Sequence, residues 1–397
     1  MASLPGGAQT GGELIAARAA QGLGGAVLSP ATLTILTTTF LEPKARTRAL
    51  GLWSAVAGAG GATGVLAGGV LTELLSWRWI LFINVPIGLA VIAVARFTVA
   101  ESRSEGQRPT LDWLGAVTVT GALVALVYGV ITTDQHSWGS PIVLGLLAVG
   151  VSFAAGLRAD REPASPPPRA DAPFRSRALA GANLIMMVVG SVMFAMFFFL
   201  SEYLQDVQGY SPLGAGFAFL PMPIAILVGT QLSSRLVGRF GSRPLLVIGA
   251  AISAMGLLLS RLSVGSSYPL HIGLPGAITT FGVGMSFVPI TLSATNGVHR
   301  RDAGLASGLI STTRQIGGSL GLAALLTVSA ARTHAALSQG ARAAETPGYA
   351  RAFAVSALLM LLAAAVALFV LPHPARPEAA HDTPLPAEGP AAILEPV

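Results

Sequence analysis

Long apolar stretches alternate with short polar ones along this chain. A helix needs about 20 mainly apolar residues to cross a bilayer. Eleven stretches qualify: 14–40, 51–71, 79–99, 111–131, 141–158, 182–203, 213–234, 244–262, 271–293, 303–329 and 352–371. The connections between them alternate in charge. Basic residues gather at Lys44, Arg46 and Arg48, from Arg96 to Arg108, from Arg158 to Arg177, at Arg235, Arg239 and Arg243, and at Arg300 and Arg301. The intervening loops hold Arg78, nothing basic across 132–140 or 205–211, and the edge residue Arg261. Short basic loops stay on the cytoplasmic side of a membrane. The pattern therefore predicts a first span entering from outside and a cytoplasmic C-terminus. One loop, 330–351, is out of step, with Arg332, Arg342 and Arg351. Trp53, Trp77, Trp79, Trp113 and Trp138 fall at predicted span ends, as do Tyr203, Tyr210 and Tyr268. That placement predicts an interfacial aromatic belt.

Composition agrees with this pattern. Hydrophobic residues make up 52% of the 397 and charged residues 11%, against roughly 25% charged in soluble domains. The predicted class is an all-α polytopic membrane protein. Its 47 glycines suit helices packed backbone to backbone. The predicted units are a tail at 1–13, three spans over 14–99, two spans within 100–158, and six spans over 181–371. A Pro-rich cytoplasmic linker at 159–180 carries Pro163, Pro166, Pro167, Pro168 and Pro173. A Pro/Ala/Glu-rich tail at 372–397 is predicted to be disordered.

Several function classes drop out. There is no cysteine, and the six histidines form no metal-spaced pair on one helix, so no metal site is expected. The only lysine, Lys44, follows Pro43, which excludes a phosphate-binding Gly-x-x-x-x-Gly-Lys loop and an intrinsic ATPase. The sequence offers no acid or histidine cluster that a membrane-embedded enzyme would need, so no enzyme is expected. The net charge of +6 reports membrane orientation, and no nucleic-acid partner is expected.

Polar residues inside spans are the candidates for chemistry, because interior charge is costly unless it faces protein or water. Arg18 and Gln21 open the string Arg18-x-x-Gln21-Gly22-x-Gly24 in the first span. Arg18 reads either as a fixed charge near a cavity or as a helix-end residue snorkelling to the interface. Gly60, Gly64, Gly68 and Gly69 share one face of the second span and read as helix packing. Glu202 closes the sixth span near the outer surface, as a titrating carboxylate or a solvated one. Arg314 and Gln315, followed by Gly317 and Gly318, lie well inside the tenth span and echo the first string. They read as cavity lining or as an inter-helix hydrogen bond. Met186, Met187, Met193, Met196, Phe194, Phe197 and Phe198 enrich the sixth span, suiting an adaptable apolar pocket or lipid contact.

These strings, with Trp77-Arg78-Trp79, Asn84-Val85-Pro86, Asp112-Trp113-Leu114-Gly115 and Gly209-Tyr210-Ser211-Pro212, resemble the fourteen-helix drug:proton antiporters of the major facilitator superfamily. In that family the first three features lie on helices 4, 5 and 6; here they occupy spans 1, 2 and 3. The resemblance implies an incomplete N-bundle, two intervening helices and a six-helix C-bundle, with the family's first three helices absent. A twelve-helix exporter would place the linker one span after the glycine string, whereas three spans intervene here. The family usually has proline after the second glycine, where this chain has Val65, so the implied kink is weaker. The resemblance makes Arg18, Gln21, Glu202, Arg314 and Gln315 the coupling and cavity candidates. It also has the glycine helix sealing against the C-bundle. Arg235, Gly238, Arg239, Gly241 and Arg243 resemble the family's cytoplasmic loop motif, though positive-inside anchoring explains them equally.

The expected function is multidrug efflux: export of a small amphiphilic drug or metabolite by alternating access. A proton gradient stands in for any cofactor, and protons and the bilayer are the other partners. The expected location is a bacterial cytoplasmic (inner) membrane. A second expectation is a truncated, non-coupling relic or fragment of such an exporter.

Overall fold

The computed structural model describes residues 10–40, 42–98, 113–134, 136–137, 139–159, 177–260, 262–263, 265–295, 303–335 and 341–371. The linker at 160–176, the tail from 372 and residues 1–9 lie outside them. Helices α1 (Gly11–Thr39), α2 (Pro43–Leu74), α3 (Trp79–Phe82), α4 (Asn84–Thr98), α5 (Trp113–Ile131) and α6 (Pro141–Ala159) form the N-terminal part. Then come α7 (Arg177–Glu202), α8 (Pro212–Phe219), α9 (Pro221–Phe240), α10 (Ser242–Leu259), α11 (Leu274–Thr295), α12 (Ala303–Ala335) and α13 (Ala341–Phe369). With α3 joined to α4 and α8 to α9, these make eleven rods at the predicted spans, and the chain is an all-α, multi-pass membrane protein.

Among the described residues, eight of the rods contain a stretch long and apolar enough to cross a bilayer, and shorter apolar stretches lie in α2 (Thr63–Leu74) and α6 (Pro141–Phe153).

Local signals fix the helix ends. Thr10 Oγ1 accepts the Glu13 N–H at 3.2 Å, the first half of a capping box. Pro43 begins α2 and Pro212 begins α8, where a missing N–H costs nothing. Ser211 caps α8 by accepting the Gly214 N–H at 3.2 Å. Gly241, at φ 78°, turns α9 into α10 through a conformation that side-chain-bearing residues rarely adopt.

The core belongs to the last six rods. Helix α7 packs along α12, α9 along α11, and α10 between α11 and α13. One apolar cluster runs through them from Leu179 to Leu371. Lipid tails are as apolar as leucine, so close backbone approach and inter-helix hydrogen bonds must hold these helices together. A Cβ on Gly190 would run into the Arg314 carbonyl, and one on Gly317 into the Met187 carbonyl. Ser191 Oγ donates to the Gly317 carbonyl at 2.8 Å, Thr313 Oγ1 to Asn183 Oδ1 at 2.9 Å, Thr230 Oγ1 to the Gly284 carbonyl at 3.1 Å, and Ser253 Oγ to the Thr279 carbonyl at 2.6 Å.

The N-terminal rods attach to this core more than to one another. Helix α2 lies along α8 and α9, α1 and α5 lie on α12, and α6 pairs with α5. Helix α4 has no buried residue, and its apolar surface fits lipid. Asn84 Nδ2 donates to the carbonyls of Ile80 and Leu81 at 3.1 and 3.2 Å, bridging the break between α3 and α4.

Candidate functional site: a cavity between α2 and the C-terminal helices

A cavity of about 350 Å³ lies where α2 meets α7, α9, α11 and α12. Gly61 and Val65 of α2 form one wall with Trp53. Met186, Met193 and Phe197 of α7 form another, and Pro223, Ile226, Phe287 and Ile310 complete the apolar surface. Thr291, Ser311 and Arg314 supply its polar side-chain groups, besides the indole of Trp53. A second cavity of about 540 Å³, between α1, α5 and α12, is lined by Gly22, Gly25, Leu123, Val127, Gln315 and again Arg314. Arg314 thus borders both spaces. Among the described residues no carboxylate lines either cavity.

The position of Arg314 follows from its neighbours. Gly190 on α7 gives room for the Arg314 backbone, and one turn on, Gly317 lets α12 meet α7 at Met187. The Asn183–Thr313 hydrogen bond holds the same crossing from the other side. The two helices are therefore locked at the residue that carries the charge. Facing this lock, α7 turns its longer side chains to the cavity, with Phe197 stacked on Phe219 at 5.6 Å.

The other sequence candidates divide. Arg18 is exposed and its guanidinium donates to Gln21 Oε1 at 3.0 Å, so this pair satisfies itself on α1 and lines neither cavity. Gln315 lines the second cavity. Glu202 ends α7 half-buried, beside Asp206 on the following π-helical turn and near Glu345 and Tyr349 of α13. The Glu202 and Asp206 carboxyls lie near each other. This group lies outside both cavities.

The four glycines of α2 meet different surroundings. A Cβ on Gly69 would lie 2.9 Å from the Pro212 carbonyl oxygen and 3.1 Å from the Leu213 Cα, whereas Gly60 and Gly64 have open space and Gly68 faces Ile80. Glu73, one turn beyond Gly69, accepts the Leu213 N–H at 3.0 Å, a favourable place for a carboxylate at a helix N-terminus. At the other end, Gly51 faces Ser234 of α9. The seam from Gly51 to Gly69 thus runs about 27 Å at 1.5 Å per residue, close to the thickness of a bilayer core. Helix α2 continues unbroken past Val65.

In the loop motif, Gly241 is required by its backbone conformation, while a Cβ on Gly238 would meet open space. The Arg243 guanidinium donates to the Leu368 carbonyl, tying α10 to α13. Arg239 lies over the Phe240 ring at 5.4 Å, and Arg235 is exposed.

Two aromatic residues depart from the belt expectation. Trp53 lines the first cavity; it lies two helical turns before Gly61, on the face the glycine string already marked. Tyr203 is fully buried and donates its hydroxyl to the Ser263 carbonyl at 2.7 Å. The π-helical turn at Tyr203–Val207 redirects it inward.

A family model described as Major Facilitator Superfamily matches residues 1–114 and 111–322. The chain is 41% identical over 385 residues to the cephamycin export protein CmcT of Amycolatopsis lactamdurans, covering 95% of this chain and 77% of that protein. It is 37% identical over 399 residues to the puromycin resistance protein pur8 of Streptomyces alboniger, covering 96% and 78%. Among solved structures, the fucose:proton symporter FucP of E. coli aligns over 86% of this chain and 87% of its own at 17% identity, with a TM-score of 0.39.

Proposed function

The chain belongs to the major facilitator superfamily, and from that premise we propose that it exports small amphiphilic compounds, antibiotics among them, by proton-coupled alternating access in a bacterial cytoplasmic membrane. The observation that carries this reading is the first cavity. It is walled by apolar side chains, holds few polar groups, and lies on the seam between α2 and the C-terminal helices, where relative movement would expose it to one side and then the other. The named activities of two relatives, cephamycin export and puromycin resistance, support the same class of cargo. Methionines at 186 and 193 suit a pocket that adapts to several shapes. We place the C-terminus and the Arg235–Arg243 loop in the cytoplasm, on the charge pattern of the loops. The Leu74 end of α2, with Gly69 and Glu73, then faces outward.

Coupling is assigned to Glu202, the half-buried carboxyl that closes α7 beside Asp206. Arg314 keeps its charge at any working pH and therefore binds rather than titrates. The test is uptake into inverted membrane vesicles of a pump-deficient host, using radiolabelled cephamycin and puromycin. Expected is accumulation of at least one compound that stops when the pH gradient is collapsed, and its loss in Glu202→Gln. Accumulation no greater than in vesicles lacking the protein, or indifferent to the gradient, refutes the proposal.

A further inference from the structure

We propose that the first cavity selects anionic amphiphiles, with the Arg314 guanidinium binding the acidic group of the cargo. This rests on reading the cavity as the substrate site and adds its charge preference. Arg314 is the sole charged group lining that cavity among the described residues. It has no acidic partner there: among the described residues no carboxylate is paired with it, whereas Glu73 and Gln21 show how exposed polar groups nearby find theirs. A guanidinium in an apolar, membrane-embedded space is costly to leave without an anion. The Gly190 and Gly317 contacts fix the stretch of α12 backbone that carries it, and the residue is half-buried rather than an exposed surface side chain. Its planar donor fork fits a carboxylate or sulfonate bidentately. Ser311, one helical turn away on the same wall, and Thr291 opposite add hydroxyls that can share the same head group.

A cationic cargo would meet repulsion here and no compensating acid. Glu202 and Asp206 do not line the cavity, so they cannot supply one without a rearrangement. The remaining walls, with Met193, Phe197, Phe287 and Trp53, suit an aromatic or aliphatic body. The predicted cargo is thus an apolar or aromatic body carrying one negative group.

The experiment measures binding of three probes with one fluorophore to the purified full chain in nanodiscs: dansylglycine (carboxylate), its methyl ester (neutral) and dansylcadaverine (ammonium). The wild type is expected to bind dansylglycine about tenfold or more tighter than the ester, as one charge-assisted hydrogen bond allows, and dansylcadaverine weakest. Arg314→Gln should remove the preference, and Arg314→Lys should keep the order. A wild type that prefers dansylcadaverine, binds all three alike or binds none overturns the proposal, as does an Arg314→Gln variant that keeps the preference. If Arg314→Gln does not fold, the wild-type order and Arg314→Lys still decide. Transport of the same probes separates the two claims. Anion-selective binding without any transport sinks the exporter reading alone, and gradient-driven export that favours the cation sinks the charge preference alone.

Discussion

Replacing Gly69 by alanine should loosen the seam between α2 and α8 on the side we assign to the exterior. The added Cβ would lie 2.9 Å from the Pro212 carbonyl oxygen, where ordinary contact begins at 3.4 Å, so the two helices must part by about half an ångström. Both atoms that oppose it, the Pro212 oxygen and the Leu213 Cα, are backbone and cannot swing away as a side chain would. Overpacking of this kind costs about 1–3 kcal/mol. On the alternating access proposed above, that cost falls on the closed state, raising the open population by roughly 5- to 150-fold. The chain has no cysteine, so a single Leu66→Cys change reports the seam through maleimide labelling in native membranes. Leu66 faces Gly216 of α8 across that seam. The labelling rate should rise several-fold at least when Gly69→Ala is added. Gly60→Ala is the control, since its Cβ meets open space. If Gly69→Ala labels within twofold of its parent, or Gly60→Ala rises equally, the seam is not held by that contact and the reasoning fails.

Gly317→Ala should destabilise the α7–α12 crossing severely, by about 2–4 kcal/mol, read as a lower melting temperature of the purified protein; Gly238→Ala should leave it unchanged. Asn183→Ala removes the partner of Thr313 and should cost about 0.6–1.7 kcal/mol in the same assay. Phe197→Ala deletes a cavity wall stacked on Phe219 and should weaken all three dansyl probes alike, about tenfold, in contrast to the charge-selective loss expected for Arg314→Gln. Glu73→Gln keeps an acceptor for Leu213 N–H but loses its charge, so the Leu66→Cys labelling rate should rise less than with Gly69→Ala.

The rods were legible because bilayer thickness and the cost of bare backbone polar groups leave a helix few alternatives. The Thr10 cap and the turn at Gly241 are local as well, and the sequence carries them openly. What meets each face is a different matter. Gly60 and Gly64 share one stripe and meet open space, whereas Gly69, about half a turn round the helix from Gly60, is the one of the three that touches another backbone. Trp53 and Tyr203 looked alike as span-end aromatics. One lines a cavity and the other is drawn into the core by a five-residue turn closed by the Gln208 N–H on the Tyr203 carbonyl at 3.0 Å. Arg18 and Arg314 sit in echoing strings, but Gln21 satisfies the first within its own helix, while Gln315 lines the second cavity beside Arg314. Such outcomes depend on long-range packing that no window of sequence contains.

Helix α7 is built with two unlike faces. Toward α12 it offers Gly190 and Ser191, positions where even one added carbon has nowhere to go. Toward the cavity it offers Met186, Met193 and Phe197, which touch cargo space rather than a neighbouring backbone. Mutation on one side therefore changes what the cavity binds, and on the other it breaks the crossing. A lineage under changing chemical attack can swap the cavity residues one at a time, altering which compounds the proposed exporter carries, while the α7–α12 crossing stays intact. Breadth of resistance would then drift quickly in this protein, and its architecture slowly.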